Sequence, residues 1–228
     1  MSRTEAKVPF GTFSPAVVHG DAMNWSPGGR GMVERAERTS RNSVDLYWLP
    51  LGAGGHFVRL NGRAFEALVA HRERRRACDL YHSALEVRLD ADRWVIEMGP
   101  VWNTADAGRG VVAVGPVGHP WLGRTRAFRY EVRRWREGRI PDLAEAVDSP
   151  RRLSADHAHA ARVLELVAQF RTATWGRDEQ GTGEMWNSNS LTSWLLSRSG
   201  HDLSTVTPPR GGRAPGWTAG LVAASRER

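Results

Sequence analysis

A pair of β-rich segments separated by a short turn is the strongest constraint on how this chain can fold. Residues 80–89 and 93–98 are rich in β-branched and large apolar side chains, and Asp90-Ala91-Asp92 joins them. Acidic and small residues favour a tight connection between two strands. The chain is therefore predicted to contain an antiparallel hairpin, which needs further strands or helices to cover its apolar face.

Further strand patterns surround this hairpin. The apolar run at 111–114 predicts a buried strand, whereas the segment 126–135 alternates and predicts a half-buried one. In the second segment Phe128, Tyr130 and Val132 fall on one side and charged residues on the other. The remaining strands are predicted at residues 44–49 and 56–60.

Helices are predicted from apolar spacings of three and four residues and from capping residues. Asn61 and Ser154 are suitable N-caps, and Gly200 is a suitable helix end. The predicted helices cover residues 62–76, 155–170 and 187–199. Together the patterns predict an α+β fold, an antiparallel sheet with helices packed on it.

Glycine and proline divide the chain into three parts. Their density around residues 24–31 predicts a flexible N-terminal segment over residues 1–42, and residues 208–216 read as a linker. The sequence therefore predicts one α+β domain over residues 43–203, followed by a C-terminal tail over residues 204–228.

The charge of the chain raises the question of an anionic partner. The formal net charge is +7, but Lys7 is the only lysine, a bias typical of a GC-rich genome. The densest cluster, residues 72–76, ends a helical pattern, where arginine complements the helix dipole. A solvated helix end is therefore favoured over a nucleic acid as partner.

The single cysteine and the hydropathy limit where such a chain works. Cys78 has no intrachain partner, so a disulfide framework is excluded, and the residue is expected to be a small buried apolar group. No segment approaches the roughly 20 apolar residues of a membrane span. The sequence therefore predicts a soluble, cytoplasmic protein without a membrane span.

Chemistry is suggested by a hydroxyl at the start of a predicted helix and by an earlier histidine. Ser188 stands between Asn187 and Asn189, where the free backbone N–H groups of a first helical turn stabilise negative charge. His82 lies on the first strand of the hairpin and could accept the proton of Ser188. Serine is also a common N-cap, and a histidine on a strand is often purely structural. These two residues alone therefore do not decide between a structural and a catalytic role.

The arrangement of the two segments resembles the circularly permuted papain-like hydrolases, which include the PPPDE isopeptidases and the lecithin:retinol acyltransferase-like enzymes. In that group a Tyr-His or Trp-His-[Ser/Thr] strand comes first and supplies the base. An Asn-Cys-Asn or Asn-Cys-Glu segment at a helix start comes later and supplies the nucleophile. Residues 81–87 resemble the first element, and residues 187–190 followed by 194–196 resemble the second.

This resemblance implies a permuted papain-like fold and a hydrolase or acyltransferase acting on an amide or ester bond of a peptide or acyl substrate. Ser188 stands where the family has cysteine. A serine is far less acidic than a thiol and needs a base during the attack. The alternatives are a serine enzyme, an inactive relative, or an engineered replacement of cysteine. A non-enzymatic module that binds an anionic ligand or a nucleic acid through a surface rich in arginine and tryptophan is a further alternative.

Other side chains are candidates for supporting roles in this site. Glu97 is the first candidate to orient His82 and Glu86 the second, while Asn187 and Asn189 could help to hold an oxyanion. Trp186 is expected to wall an apolar cleft, as are Trp102 and Trp121, although core packing is the simpler role for each. No cofactor and no metal site are predicted, because His157 and His159 are two apart on a helix and point in different directions.

Overall fold

A six-stranded antiparallel sheet is the centre of the fold. The structure is a computed structural model that describes residues 41–51, 74, 76–101, 108–209 and 211–227. The predicted strand at 56–60, Trp102 and nearly all of the predicted N-terminal segment and of the helix at 62–76 lie outside these residues. The α+β class predicted from the sequence is confirmed.

The strands pair in the order β4-β5-β3-β2-β1-β6. The predicted hairpin is confirmed as β2 and β3, which close with Leu89 opposite Asp92. The strand β6 escaped the sequence analysis, because Pro150 and its adjacent arginines give it no apolar pattern. The strands are β1 (Ser43–Pro50), β2 (Tyr81–Leu89), β3 (Asp92–Pro100), β4 (Val111–Pro116), β5 (Arg129–Arg136) and β6 (Val147–Ser154).

Helices cover one face of the sheet, called here the helical face. In the described residues these are α1 (His157–Leu166), α2 (Ser188–Arg198) and α3 (Trp217–Arg226). Because side chains alternate along a strand, Tyr81, Leu85 and Val87 of β2 all point to this face and pack with the helices. None of the described helices combines the length and hydropathy required to cross a bilayer.

The opposite face, called here the far face, carries a second and smaller core. Leu49 and Ala84 belong to it, and Leu49 stands opposite His82 in the β1–β2 register. His82 is therefore on the far face, away from the three helices. The other buried members of this core are Tyr47, Val95 and Ile140.

The β4–β5 end of the sheet differs from the prediction. The run at 111–114 was expected to be buried, but β4 is an edge strand in which Val111 is 42 % and Val114 46 % exposed. A register shift between Val111 and Ala113 contributes to this exposure. Phe128 lies before β5 in a 3-10 turn and is exposed, so only Tyr130 and Val132 reach the core as expected.

The C-terminal segment also differs from the expected tail. Arg213 forms a parallel bridge with Leu80, next to β2, and α3 packs on α2. The small residues Ala219, Gly220 and Ala223 allow this close approach, and both alanines are buried in the main core. The proline and glycine residues before α3 therefore connect two packed parts of the same core.

The α2–α3 contact predicts the effect of adding one methyl group at Gly220. A Cβ there would lie 2.1 Å from Ser193 Oγ and 2.2 Å from the backbone oxygen of Ser190. Overpacking typically costs about 1–3 kcal/mol, and contacts this short place the cost at the upper end of that range. After subtraction of the roughly 1 kcal/mol that alanine gains over glycine in a helix, Gly220→Ala is expected to lower the free energy of unfolding by about 2 kcal/mol in urea titrations.

Gly99→Ala provides the control, because a Cβ at Gly99 meets no atom of the described residues within 4 Å. Its unfolding free energy should stay close to that of the unmodified protein. A Gly220→Ala variant as stable as this control would contradict the packing of α3 on α2.

Candidate functional site

The start of α2 is held by a capping box. Asn187 is the N-cap, and its Oδ1 accepts a hydrogen bond from Asn189 N at 2.9 Å. In return, Ser190 Oγ accepts from Asn187 N at 3.1 Å. Ser188 is consequently the first residue of the helix, at the positive end of its dipole, and is only 4 % exposed.

Next to this helix start, the ladder between β2 and β3 is broken. The two strands pair only from Leu85 opposite Ile96 to the hairpin turn. Residues 81–84 of β2 remain paired with β1, while β3 continues beside β5 as far as Pro100. The backbone of Tyr81 therefore needs other partners on the side that β3 has left, and Tyr81 N donates to Arg213 O at 2.8 Å.

Asn189 fills this break with its side chain. Its Nδ2 donates to Tyr81 O at 2.9 Å and to Pro215 O at 2.8 Å. Its Oδ1 accepts from Ser83 Oγ at 2.8 Å. The amide thus joins a helix start and a strand that are more than 100 residues apart in the chain. The two segments singled out in the sequence therefore meet in the fold.

His82 lies between the two residues that Asn189 contacts. Its side chain points to the far face and is half-buried. Burial lowers the pKa of His82 to about 4, and the nearby charge of Asp142 acts in the opposite direction. The ring is therefore neutral at neutral pH, as a proton acceptor must be.

The structure brings the backbones of the His82 and Ser188 segments together but not the two reacting atoms. No hydrogen bond joins the His82 ring to Ser188 Oγ among the contacts of these two described residues. His82 points to the far face, whereas α2 packs on the helical face. The two side chains are consequently on opposite faces of the sheet.

Neither predicted orienting carboxylate is hydrogen-bonded to His82. Glu97 accepts from Arg133 Nη1 at 2.8 Å, and Glu86 accepts from both Arg88 and Arg93. Burial raises the pKa of Glu97, and the hydrogen bond and charge of Arg133 counter this. On the far face, Glu86 pairs with Arg88 and Arg93, and Glu97 belongs to a separate group with Arg133 and Glu131.

Asp142 is the acid that acts on His82, and the sequence analysis missed it. It follows Pro141 in a left-handed conformation before a 3-10 turn, and its carboxylate does not cap that turn. Asp142 lies 60 positions beyond His82, so nothing local in the sequence connects the two. Only the folding of the segment after β5 brings its charge within reach of the ring.

The two asparagine side chains are already engaged, which differs from their predicted oxyanion role. Both Nδ2 hydrogens of Asn189 have carbonyl acceptors, and Asn187 Nδ2 donates to Pro215 O at 2.8 Å. In contrast, the backbone N–H of Ser188 has no hydrogen-bond acceptor among the described residues. The first N–H groups of a helix have no partner within it, so this one remains available to donate a hydrogen bond to a ligand.

Trp186 does not wall a cleft. It is 2 % exposed and stacks on Phe170 with ring centroids 5.2 Å apart. Trp121 is exposed but belongs to the connection between β4 and β5. Cys78 is half-buried and lies outside both cores, which contradicts the expectation of a buried apolar group.

Comparison with protein-family models, curated proteins and solved structures gives no match to this chain. A function for this chain is therefore inferred from the geometry of the site alone. In the described ranges, His, Cys, Asp and Glu side chains form no group of three or more that could hold a metal ion.

The lowered pKa of His82 predicts that acid destabilises the fold. The pKa is 6.5 for an ordinary histidine and about 4 in the folded chain. Because the folded chain holds the ring in its neutral form, the contribution of His82 to the free energy of unfolding is complete above about pH 6.5. This contribution is lost as the pH falls toward 4. His82→Gln is expected to remove up to about 3 kcal/mol of this pH dependence, at about 1.4 kcal/mol per pKa unit.

Urea unfolding of both proteins between about pH 4 and 7 measures this difference. Burial also lowers the pKa of His201 to about 4, so His201→Gln should remove a second, additive part of the dependence. Parallel stability curves for the unmodified protein and His82→Gln would show that His82 is not buried in its neutral form.

Proposed function

We propose that the start of α2 and the strand β2 form an acyl-transfer site, and that the protein is a hydrolase or acyltransferase acting on an amide or ester bond. The observation that carries this proposal is the contact of Asn189 with Tyr81 and Ser83. It places the residue after Ser188 against both neighbours of His82. A nucleophile at a helix start beside a histidine on a strand is the arrangement expected of a permuted papain-like enzyme.

In this mechanism Ser188 Oγ attacks the carbonyl carbon of the substrate. His82 takes the hydroxyl proton as the new C–O bond forms, a step that requires its imidazole to move within hydrogen-bond distance of Ser188 Oγ. The negative charge that develops on the carbonyl oxygen is stabilised by the backbone N–H of Ser188 and by the dipole of α2. His82 then gives its proton to the leaving group, and water or a second acceptor removes the acyl group from the serine.

The environment of His82 sets the pH range of this chemistry. With a pKa of about 4, the ring is available as a base throughout the neutral range. The same low pKa makes it a weak base, because proton transfer is most efficient when the pKa of the base is near the working pH. A slow enzyme is therefore expected, with a rate that falls only below about pH 5 as His82 becomes protonated.

An inactive relative is the second candidate, and it also has a specific observation in its favour. Ser188 is only 4 % exposed and is not hydrogen-bonded to His82. The side-chain amides of Asn187 and Asn189 both donate to Pro215 O, which gives them a structural role. Such a protein would keep the architecture of the site, with Asn189 fastening α2 to β2, and would lack the reaction.

A small fluorophosphonate probe tests the proposed enzyme directly. It should label Ser188 in the unmodified protein, and His82→Ala should abolish the labelling while circular dichroism shows an intact fold. Ser225→Ala removes an exposed hydroxyl on α3 and is the matched control, so its labelling should be unchanged. The labelling rate should be constant between about pH 6 and 8 and decline below about pH 5.

A serine-to-cysteine variant separates the two candidates. In a Cys78→Ser background, Ser188→Cys should react with iodoacetamide faster than an ordinary thiol, and His82→Ala should slow it. Labelling of this cysteine without labelling of the natural serine would assign the inactive relative. If neither residue reacts in a folded protein, or if His82→Ala changes nothing, the acyl-transfer site is refuted.

A further inference from the structure

The connection between β4 and β5 exposes aromatic rings to solvent. Trp121 is 62 % exposed and Phe128 is 43 % exposed, whereas most other tryptophans of the described residues are largely or partly buried. His119 lies against the Trp121 ring, with centroids 5.9 Å apart. The segment Gly118–Arg129 is called here the Trp121 loop.

Unpaired arginines accompany these rings. The sequence contains neither Asp nor Glu between residues 107 and 130. Arg124 and Arg126 are exposed, and neither forms an ion pair with an acid in the described parts of the chain. Most arginines of the sheet instead form ion pairs or hydrogen bonds within the protein. Arg93 pairs with Glu86, for example, and Arg133 pairs with Glu97. The loop therefore presents positive charge that no acid of the described residues neutralises through an ion pair.

The backbone of the Trp121 loop is held in place. Arg129 donates from Nε to Gly123 O and from Nη2 to Arg124 O, which staples the loop to the start of β5. Consecutive 3-10 turns are closed by Leu122 N to His119 O and by Thr125 N to Leu122 O. A loop fixed before binding loses little conformational entropy when a ligand binds.

We propose that the Trp121 loop binds single-stranded nucleic acid. Unstacked bases stack on exposed aromatic faces, and arginine guanidinium groups contact the phosphates between them. Trp121 and Phe128 provide the faces, and Arg124 and Arg126, which lie between them in the chain, provide the charge. This combination of rings and cations is complementary to a strand that offers bases and phosphates alternately.

Two acids follow the segment that is hydrogen-bonded to the loop. Gly118 N donates to Trp175 O, and Asp178 and Glu179 come shortly after Trp175. Asp178 accepts from Thr182 N and Gly183 N, and Glu179 accepts from Thr174 N. Both carboxylates are held by backbone groups of their own segment, and among the described residues neither forms an ion pair with Arg124 or Arg126.

A membrane surface is less well matched. Insertion into lipid favours exposed aliphatic as well as aromatic side chains. The aliphatic Leu122 of the loop is half-buried, and the large apolar side chains that the loop exposes are the two rings. The exposure of the loop's rings and arginines is a property of the fold that no local sequence pattern reveals.

Fluorescence anisotropy with a labelled 20-nucleotide thymidine strand tests the proposal at about 50–200 mM salt. Trp121→Ala should weaken binding about tenfold or more, since stacking of one base accounts for a factor of that order. The double variant Arg124→Ala/Arg126→Ala should make the dependence of log K on log salt less steep by about 1.4, or about 0.7 for each lost phosphate contact.

The double variant Arg139→Ala/Arg171→Ala is the matched control, because it removes the same charge from exposed positions outside the loop. It should leave the salt dependence unchanged, and a duplex of equal length should bind more weakly than the single strand. The proposal is overturned if the strand does not bind, if Trp121→Ala binds as well as the unmodified protein, or if the control weakens binding equally. Binding of phosphatidylserine vesicles through Trp121, without binding of the strand, would assign the loop to membranes instead.

Discussion

The side chain of Asn189 lies where β3 leaves β2, and it ties the start of α2 and the segment before α3 to the sheet. One amide satisfies Tyr81 O, Pro215 O and the Ser83 hydroxyl. An unpaired buried carbonyl costs about 1–3 kcal/mol. Without this amide, the carbonyl of Tyr81 would lose its partner on the side that β3 has left. The docking of α2 and the path of the chain before α3 therefore have a common cause.

The same break determines what chemistry the fold permits. Alternation along β2 turns His82 to the far face, while Ser83 and Tyr81 face the helices. The break lies at the end of the sheet where β3 has separated from β2. The Trp121 loop follows β4 and precedes β5, at the end where β3 terminates and β2 begins. Both the acyl-transfer site and the nucleic-acid surface that we propose thus lie at one end of the sheet.

Much of this architecture could be predicted because it follows from local patterns. The hairpin was recognisable from its two β-rich runs and its acidic turn, and α2 from its cap and from Gly200. In contrast, β6 has an edge-strand sequence without apolar alternation, and the exposure of Val111 and Val114 depends on which strands are neighbours. The engagement of Glu97 by Arg133 and the approach of Asp142 to His82 are long-range contacts, for which a single sequence gives no local signal.

A double-mutant cycle on Ser83 and Asn189 tests most directly whether α2 is fastened to β2 through the break. Urea unfolding would be measured for Ser83→Ala, for Asn189→Ala and for the double variant. Because the two side chains are hydrogen-bonded at 2.8 Å, their effects should not add, and the coupling free energy should be about 1 kcal/mol or more. Effects that add to within about 0.3 kcal/mol would show that the contact does not exist in solution. The placement of Ser188 beside His82 would then lose its support.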